Sequence, residues 1–288
     1  MKKELVGFIM GLGIISMVPG VNAQEFKEHI SKEFVLSEAA TGSTLFIYNI
    51  SGFIKVEGYV GNKVFLEVDK TISADDNKIL ETGKKEFRLG FDQKSDSIIA
   101  YIAEPYDTRP HRNRYWHDDR PEVDYHFNVD FTVKVPYDIN LHISTVNDGI
   151  ISVSNVNGTL HVNNVNDEIS IKNAKGTTYA HTVNGDVTVT YLKNPPAESS
   201  YYTINGNIHV SYQPDLSADL QFKTMHGDFF TDFPNAELLP ASVKKVQEKE
   251  GGGMVYKLNT ITSIRFGNGG KIFKFETLNG NVYIKKQS

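Results

Sequence analysis

An eight-residue motif built on T-x-N-G constrains the fold more than any other feature of this sequence. Clear copies are TVNGDVTV (182–189), TINGNIHV (203–210), TMHGDFFT (224–231) and TLNGNVYI (277–284). Earlier copies are NVNDEISI (164–171), TVNDGIISV (from Thr145, one residue longer) and the weaker NISGFIKV (49–56). From Asn147 the central residues follow at steps of 19, 18, 21 and 21 residues. A fixed period of this size is the signature of a stacked repeat architecture.

Turn residues lie half-way between successive copies, so each repeat is predicted as strand, turn, strand, turn. These turns are Asn157-Gly158, Lys175-Gly176, Asn194-Pro195-Pro196, Gln213-Pro214-Asp215 and Phe233-Pro234-Asn235. We therefore predict an all-β fold, a parallel β-solenoid (β-helix) with two strands per coil of about 18–21 residues. Tandem hairpins forming an antiparallel meander are the competing architecture, because Asn-Gly is also a strong hairpin signal.

The columns of the alignment predict which side chains face inward. The central residue of each copy is here called its index residue: Ser51, Asn147, Asn166, Asn184, Asn205, His226 and Asn279. The column before the index is apolar throughout: Ile50, Val146, Val165, Val183, Ile204, Met225 and Leu278. So is the third position after it: Ile54, Ile150, Ile169, Val187, Ile208, Phe229 and Val282. Both columns are expected in the interior, and the extra residue at Ile150-Ile151 predicts a bulge.

The corner residues are expected to stack as a structural turn ladder. Its predicted members are Asn147, Asn166, Asn184, Asn205, Asn279, Gly185, Gly206, Gly227 and Gly280. We expect Asn and Gly there because both accept positive φ at low cost. A polar ladder of Thr145, Asn164, Thr182, Thr203 and Thr224 is expected beside it.

The organisation predicted is a signal peptide over 1–23 and a single β-solenoid domain over 24–288, with insertions at about 71–121 and 236–270. The first insertion is predicted to hold a short helix from an N-cap at Ser73 to about Glu86, followed by strands over 87–91 and 97–103. The second is predicted to contain a flexible glycine run at 251–253 and a hairpin turning at 267–270.

The N-terminus predicts export. Lys2 and Lys3 precede an apolar stretch of 14 positions, 5–18, and a small-residue cleavage site at Val21-Asn22-Ala23. The stretch is shorter than the roughly 18–20 residues that a spanning helix needs. We expect cleavage before Gln24 and location in the periplasm, at the outer surface or in the medium, with no transmembrane segment in the mature chain.

The charge and the lack of cysteine restrict the classes of partner and ligand that this chain is expected to bind. The net charge is −5, and removal of residues 1–23 with Lys2, Lys3 and Glu4 makes it −6. This acidity, with no basic stripe, argues against nucleic acid. The chain has no cysteine, which excludes disulfides and thiolate metal sites.

One polar loop, 104–126, carries the candidate ligand and contact residues. His111, His117, Asp118 and Asp119 are metal-type ligands. Their spacing matches no known pattern, and neighbouring arginines oppose a cation, so a solvated loop of mixed charge is favoured over a metal site. Tyr115 and Trp116 are candidate partner contacts, because aromatic residues are common anchors at interfaces.

Two further columns carry polar chemistry. Glu168, Asp186, Asn207, Asp228 and Asn281 form an acidic-amide column that could hold calcium, although Asp and Asn are also ordinary turn residues. His142 and His161 both lie five residues before an index residue, so they are expected to stack on the outer face.

The sequence resembles the putative-adhesin β-strand-repeat family of bacterial envelope proteins, which is common in Bacteroidetes. The features that carry the resemblance are the signal peptide, the segment SGFIKVEGYVGNKVFLEV (51–68), the FTVKVP and STVND junction, and the recurrent T-x-N-G-[DN]-[IV]. The resemblance covers nearly all of the mature chain. It implies the fold and an envelope location, and it carries over no catalytic residue.

No catalytic fingerprint such as G-x-S-x-G, H-E-x-x-H or a P-loop is present. We therefore expect an exported, non-enzymatic, adhesin-like or structural surface protein without cofactors, whose partner is an envelope protein or a glycan. Two alternatives stay open: a β-helix enzyme or binding module acting on polysaccharide, and an accessory of envelope-stress signalling.

Overall fold

The computed structural model describes residues 24–110, 122–250 and 253–287, which are almost entirely β-structure. In chain order the strands are β1 (Gln24–Val35), β2 (Thr44–Tyr48), β3 (Ile54–Tyr59), β4 (Lys63–Ala74), β5 (Arg88–Gln93), β6 (Ser97–Glu104), β7 (His126–Pro136), β8 (Asn140–Ser144), β9 (Ile151–Ser154), β10 (Leu160–Asn163), β11 (Ile169–Ala174), β12 (Thr178–His181), β13 (Val187–Tyr191), β14 (Ser199–Tyr202), β15 (Ile208–Tyr212), β16 (Ala218–Lys223), β17 (Phe229–Thr231), β18 (Glu237–Glu250), β19 (Gly253–Phe266), β20 (Lys271–Glu276) and β21 (Val282–Lys286).

The helical structure lies near the N-terminal end. A 3-10 turn spans Ala40–Gly42, and the helix α1 spans Asn77–Glu86. The side chain of Asp76 caps α1 by accepting a hydrogen bond of 2.8 Å from the backbone N–H of Ile79. The expected start at Ser73 is wrong, since Ser73 still belongs to β4. No helix in the described part of the chain is long and apolar enough to span a bilayer.

The strands form two large mixed sheets that do not close on themselves. One sheet has the order β1-β4-β7-β3-β9-β11-β13-β15-β21-β17 and is called the ten-strand sheet. The other has the order β18-β19-β16-β20-β14-β12-β10-β8-β2-β6-β5 and is called the eleven-strand sheet.

The repeats stack in parallel and in register. Each repeat contributes one strand to the eleven-strand sheet, then the T-x-N-G corner, then one strand to the ten-strand sheet. In the ten-strand sheet Val187 lies opposite Ile169 on one side and Ile208 on the other. A meander would instead pair successive strands antiparallel, so tandem hairpins do not describe the repeats.

An uninterrupted parallel solenoid over the mature chain is not observed either, because antiparallel strands border the stack. β4 pairs antiparallel with β7, and β1 with β4, at one end of the ten-strand sheet. In the eleven-strand sheet β5 borders β6, while β19 and β18 border β16, again antiparallel. The predicted parallel solenoid is therefore not confirmed over the whole mature chain: β1 and β4, which were expected within it, pair antiparallel, whereas β5, β18 and β19 lie in the predicted insertions.

The stacking order of the repeats differs from their order in the chain at both ends. The last repeat in sequence, β20 and β21, lies between β14/β15 and β16/β17. Likewise β2 and β3 lie between β6/β7 and β8/β9. At each end, the outermost layer of the repeat stack (β6/β7 or β16/β17) is therefore not the first or last layer in the chain; the layer next to it (β2/β3 or β20/β21) is.

The two predicted insertions take part in this arrangement. β6, inside the first insertion, pairs in parallel with β2 in the eleven-strand sheet. In the second insertion β18 and β19 pair antiparallel, with Glu250 opposite Gly253. The hairpin expected at 267–270 is wrong, because β19 and β20 both pair with β16 and not with each other.

The core lies between the sheets and is filled by alternate residues of each strand. The column three residues after the index is fully buried, at 2% exposure or less, in Ile54, Ile151, Ile169, Val187, Ile208 and Val282. Each such Val or Ile contributes about 1.5–3 kcal/mol on full burial. Toward the C-terminal end the core turns aromatic, with Tyr191, Tyr201 and Tyr212 buried and joined through their hydroxyls.

Two expectations about the columns are corrected. Ile151, not Ile150, pairs with Ile54 and Ile169 in the interior column, and Ile150 is 43% exposed. The extra residue is accommodated at Asp148, whose φ is 56°. The column before the index is not interior, since five of its seven members are half-buried along the corner and the other two, Met225 and Leu278, are 71% and 40% exposed.

Threonine, rather than that apolar column, fills the inside of the corner. Thr203 and Thr277 are buried, and each donates its hydroxyl to the backbone carbonyl of the motif glycine in the adjacent layer. The distances are 2.8 Å from Thr203 to Gly185 and 3.1 Å from Thr277 to Gly206. A buried hydroxyl needs such a partner, so the threonine position ties each layer to the next.

The motif glycine is required by close approach, not by positive φ. The φ values of Gly185, Gly206, Gly227 and Gly280 lie outside the left-handed region, which corrects the expected reason for glycine at the corner. A Cβ on Gly206 would stand 2.1 Å from the carbonyl oxygen of Gly185. The neighbouring backbone therefore excludes any larger residue at this position.

We expect replacement of Gly206 with Ala to lower the free energy of unfolding by about 3 kcal/mol, because the new methyl group meets backbone that cannot move aside. Gly42→Ala is the matched control, since its Cβ would lie 3.7 Å from a Glu38 carboxylate oxygen, and it should change stability by less than about 0.5 kcal/mol. Urea denaturation measures both. Equal effects of the two substitutions would contradict the close-approach explanation.

The out-of-turn layer order predicts which cysteines form a disulfide in this cysteine-free chain. Asn205 and Asn279 lie in adjacent layers, about 4.8 Å apart, so Asn205→Cys with Asn279→Cys should oxidise readily, within the usual disulfide range. Asn205→Cys with His226→Cys is the control, because those residues lie two layers apart. Alkylation of free thiols followed by mass spectrometry reads out both pairs; cross-linking of the control pair instead would mean that the layers follow chain order.

Candidate functional site

The candidates in the polar loop fall outside the described residues. His111, Tyr115, Trp116, His117, Asp118 and Asp119 all lie in 111–121. Within the ranges that are described, no three His, Cys, Asp or Glu residues come together in a way that could hold a metal ion.

The predicted turn-ladder asparagines form a hydrogen-bonded column on the surface. Each side-chain amide donates to the side-chain oxygen of the next layer, at 2.6–2.9 Å, in the order Asn279, Asn205, Asn184, Asn166 and Asn147. His226 follows at the open end, 3.2 Å from Asn279. This column holds the layers in register, and its hydrogen-bonding groups are largely satisfied within the protein.

The acidic-amide column is likewise engaged with the protein. The side-chain oxygens of Asp186, Asn207 and Asn281 accept hydrogen bonds of 2.7–2.9 Å from backbone N–H groups of the adjacent layer. These contacts explain why Asp or Asn follows the motif glycine. They favour the turn interpretation of this column over a calcium site.

A second surface, the outer face of the eleven-strand sheet, carries a row of rings across consecutive strands. We call it the ring ladder: Phe46, Tyr48, His142, His161, Tyr179, His181 and Tyr202. The side chains are half-buried and come from β2, β8, β10, β12 and β14, which pair in parallel. In-register pairing places side chains of successive strands directly beside each other, and His142, His161 and Tyr179 lie opposite one another in this way.

Three of the rings, His142, His161 and Tyr179, form a face-to-face stack on the outer face, so their edges are the parts left open to solvent. The centroids of His161 and Tyr179 lie 4.5 Å apart with planes 9° apart. His142 and His161 lie 5.5 Å apart at 24°, and Phe46 lies 5.5 Å from His142. In such a stack the ring faces are covered by neighbouring rings. Solvent and ligands meet the imidazole nitrogens and the phenol hydroxyls.

The polar groups of the ring ladder are uncharged near neutral pH. Partial burial lowers the pKa of His142, His161 and His181 below the ordinary value, and proximity to His161 lowers the pKa of the other two further. A neutral imidazole offers one donor and one acceptor, and a tyrosine hydroxyl offers both roles. His181 uses one nitrogen on the Ser200 hydroxyl at 2.8 Å. Among the described residues, the polar edges of His142, His161 and Tyr179 have no hydrogen-bond partner.

Charged groups lie at the two ends of the ring ladder and are paired. At the N-terminal end Arg109 binds Asp92 and Asp107 and lies over the ring of Tyr101. A cleft of about 560 Å³ opens there, with Phe46, Tyr48 and Arg109 among its lining residues. At the other end Lys274 pairs with Glu198, and Lys223 with Glu276. The middle of the surface is therefore uncharged and hydrogen-bonding.

A smaller stack lies on the outer face of the ten-strand sheet. His209, Tyr283 and Phe230 stack there with centroids 4.6 Å and 5.0 Å apart. The remaining outward residues of that sheet include Ser152, Ser170 and Thr188, which carry no rings. The two faces therefore differ in chemistry although the same repeat builds both.

The sequence prediction for this surface was partial. His142 and His161 were expected to stack on the outer face, and the structure places them side by side there. Phe46, Tyr179 and Tyr202 were missed, because the strand before each motif copy varies in sequence and was not aligned. Aligning positions five and three before each index residue brings most of the ring ladder into view.

Comparisons with known proteins find distant structural likeness only. No family model matches the chain, and no curated protein matches its sequence. The chain is similar to the solved structure of a putative cell adhesion protein from Clostridium sporogenes, with 10% identity over 90% of this chain and 100% of that chain and a TM-score of 0.38. It is also similar to a putative adhesin from Bacteroides fragilis, at 10% identity over 90% and 97% with a TM-score of 0.37. A putative lipid binding protein from Parabacteroides distasonis matches at 10% identity over 90% and 97%, with a TM-score of 0.25.

The electrostatics predict opposite titration behaviour for two groups of histidines. NMR of the imidazole protons should give midpoints below 6.5 for His142, His161 and His181. The midpoint of His29 should lie above 6.5, because hydrogen bonds to Asp69 and Glu67 raise its pKa. The contribution of His142, His161 and His181 to folding stability is present above pH 6.5 and is lost as the pH falls through their folded-state pKa. The contribution of His29 is present below pH 6.5 and is lost as the pH rises through its folded-state pKa. Four midpoints near 6.5 would contradict the assignment of burial and partners.

Proposed function

We propose that this chain is an exported, non-enzymatic interaction protein of the bacterial envelope or surface, and that its ring ladder binds glycan. In this proposal residues 1–23 are a signal peptide, and 24–288 form one domain. The parallel part of the two sheets is a β-solenoid that serves as a rigid scaffold. The ring ladder is the recognition surface on that scaffold.

The single observation that carries the proposal is the row of unsatisfied polar ring edges on the outer face of the eleven-strand sheet. Edges of His142, His161 and Tyr179 face outward in register, and each can both donate and accept. Sugar hydroxyls are also both donors and acceptors, so each rung matches one hydroxyl without a charge mismatch. A surface fixed by its own stacking loses little side-chain entropy on binding.

The neutrality of the surface favours glycan over anionic partners such as phosphorylated ligands. Recognition of phosphate relies on Arg and Lys that are free to bind it. Arg109, at one end, is held by Asp92 and Asp107. Lys274, at the other, is paired with Glu198. Hydroxyl-rich ligands remain the better match to the middle of the surface.

Cleavage of polysaccharide is the enzymatic alternative. Glycoside cleavage needs two carboxyl groups free to act as acid and as base or nucleophile. Of the carboxylates that line the cleft beside the ring ladder, Asp92 is paired with Arg109, and Asp96 accepts a hydrogen bond from the Ser97 hydroxyl. This arrangement supports binding rather than hydrolysis there. Tyr115 and Trp116 remain proposed as further partner contacts.

A glycan array probed with the purified protein tests the proposal. We expect wild type to bind, and Tyr179→Ala or His161→Ala to weaken binding about tenfold, the effect of losing one or two hydrogen bonds of about 1 kcal/mol each. Tyr283→Ala is the matched control, since it removes a stacked ring from the outer face of the other sheet. Circular dichroism confirms folding of each variant. Wild-type protein that binds no glycan, or Tyr283→Ala that weakens binding as much as Tyr179→Ala, would refute the role of the ring ladder.

A further inference from the structure

The spacing of the ring ladder carries information about the shape of its ligand. Adjacent strands lie about 4.8 Å apart, and the centroids of directly opposed rings, from Phe46 through His142 and His161 to Tyr179, lie 4.5–5.5 Å apart. This repeat runs perpendicular to the strands. It is close to the length of one pyranose unit in an extended β-1,4-linked chain.

Resting on the glycan-binding function proposed above, we propose that the ligand is a linear, uncharged, β-linked polysaccharide that lies across the strands with one sugar unit per strand. Its axis then follows the stacking direction, and its hydroxyls meet successive ring edges. His142, His161 and Tyr179 each contact a successive sugar. The regular spacing of the protein layers selects the regular spacing of the polymer.

The direction of the ladder excludes an extended peptide as the matching ligand. A peptide advances about 3.3 Å per residue, which loses register with a repeat of about 4.8 Å within two or three rungs. Peptides that add to a sheet bind at an open edge, where backbone groups are unpaired. The ring ladder lies in the middle of the sheet, where β8, β10 and β12 are paired on both sides.

The composition of the second column supports the same class of ligand. The first column of the ladder is Phe46, His142, His161 and Tyr179, which lie opposite one another. The second column lies two residues further along each strand and consists of Tyr48, Ser144, Asn163, His181 and Tyr202. All are uncharged or, for His181, neutral because burial lowers its pKa. Each can donate and accept hydrogen bonds. β8, β10, β12 and β14 therefore each offer two polar side chains to one sugar unit, and β2 offers the Tyr48 hydroxyl beside the ring of Phe46.

The ladder has a finite length that limits the ligand it can hold. It spans five consecutive strands, β14, β12, β10, β8 and β2, a distance of roughly 19 Å. The pair Lys274–Glu198 lies beyond one end and the Arg109 cluster beyond the other. About five sugar units should therefore fill it.

Oligosaccharide length series test this inference by isothermal titration calorimetry. The probes are β-1,4-linked gluco-, N-acetylglucosamine and manno-oligosaccharides from disaccharide to hexasaccharide, with α-1,4-linked malto-oligosaccharides of the same lengths as the linkage control. For at least one β-linked series, affinity should rise about threefold per added sugar and level off at the pentasaccharide. The malto-oligosaccharides, whose chain curves away from a flat surface, should bind at least tenfold more weakly.

Variants at different rungs sharpen the test. Tyr202→Ala removes an end rung and should lower affinity for the pentasaccharide more than affinity for the trisaccharide, which can still bind on the other rungs. His161→Ala removes a central rung and should lower affinity for both. Tyr283→Ala again serves as the control on the opposite face and should bind every length as wild type does.

The outcomes separate this inference from the function on which it rests. If glycans bind on the array but a disaccharide binds as tightly as a pentasaccharide, or α-linked chains bind as tightly as β-linked ones, the linear-polymer inference is overturned and glycan binding stands. If no β-linked series binds while other glycans do, the inference is likewise overturned. If neither the array nor any series shows binding, both proposals fail. Tight binding of an extended peptide at His161 would assign the surface to a protein partner.

Discussion

Backbone contact at the T-x-N-G corner is the constraint on which the rest of this structure depends. The motif glycine brings the backbone of one layer against a carbonyl of the next, at a distance that leaves no room for a Cβ. The buried threonine then donates its hydroxyl to that same carbonyl. Around these two positions the exposed asparagine amides and the Asp or Asn after the glycine add further bonds between layers. Four of five successive motif positions thus hold adjacent layers close and in register.

Because each corner recognises its neighbour through backbone and short polar side chains, a layer can pair with any other layer that carries the same corner. This accounts for an arrangement in which the last repeat of the chain lies beside Asn205 and the earlier His226 repeat is moved to the end. The ends of a parallel stack expose unpaired strand edges, which invite association with other chains. Here antiparallel strands cover three of the four ends of the two sheets. One end is covered by the pair β1 and β4, the second by β5 alone, and the third by the pair β18 and β19. The fourth end is β17, which is only three residues long.

In-register stacking also creates the candidate site. When identical backbone positions lie side by side, any ring placed on the outer face meets a ring on the next strand, and the pair stacks. In the eleven-strand sheet this produces a row of neutral polar edges at the repeat distance of the layers. In the ten-strand sheet the equivalent positions are Lys55, Ser152, Ser170 and Thr188 on four adjacent strands, and a ring stack is found around Tyr283 on the strands beyond them. The scaffold sets the spacing of such a surface, and the side chains chosen for it set the chemistry.

The repeat motif by itself was enough to predict an all-β fold, two strands per repeat, the buried column that contains Val187 and Ile208, and the stacking of His142 on His161. These follow from periodicity, since alternation and spacing are properties of the chain alone. The sequence did not indicate that β21 would lie between β15 and β17, that antiparallel strands would border the stack, or that the apolar column around Val183 would stay half-exposed at the corner. Those features depend on which layers come into contact and on how much space the neighbouring backbone leaves. The reason for the motif glycine shows the same division: its position is visible in the sequence, whereas the carbonyl of Gly185 that requires it at Gly206 becomes visible only when the two layers are stacked.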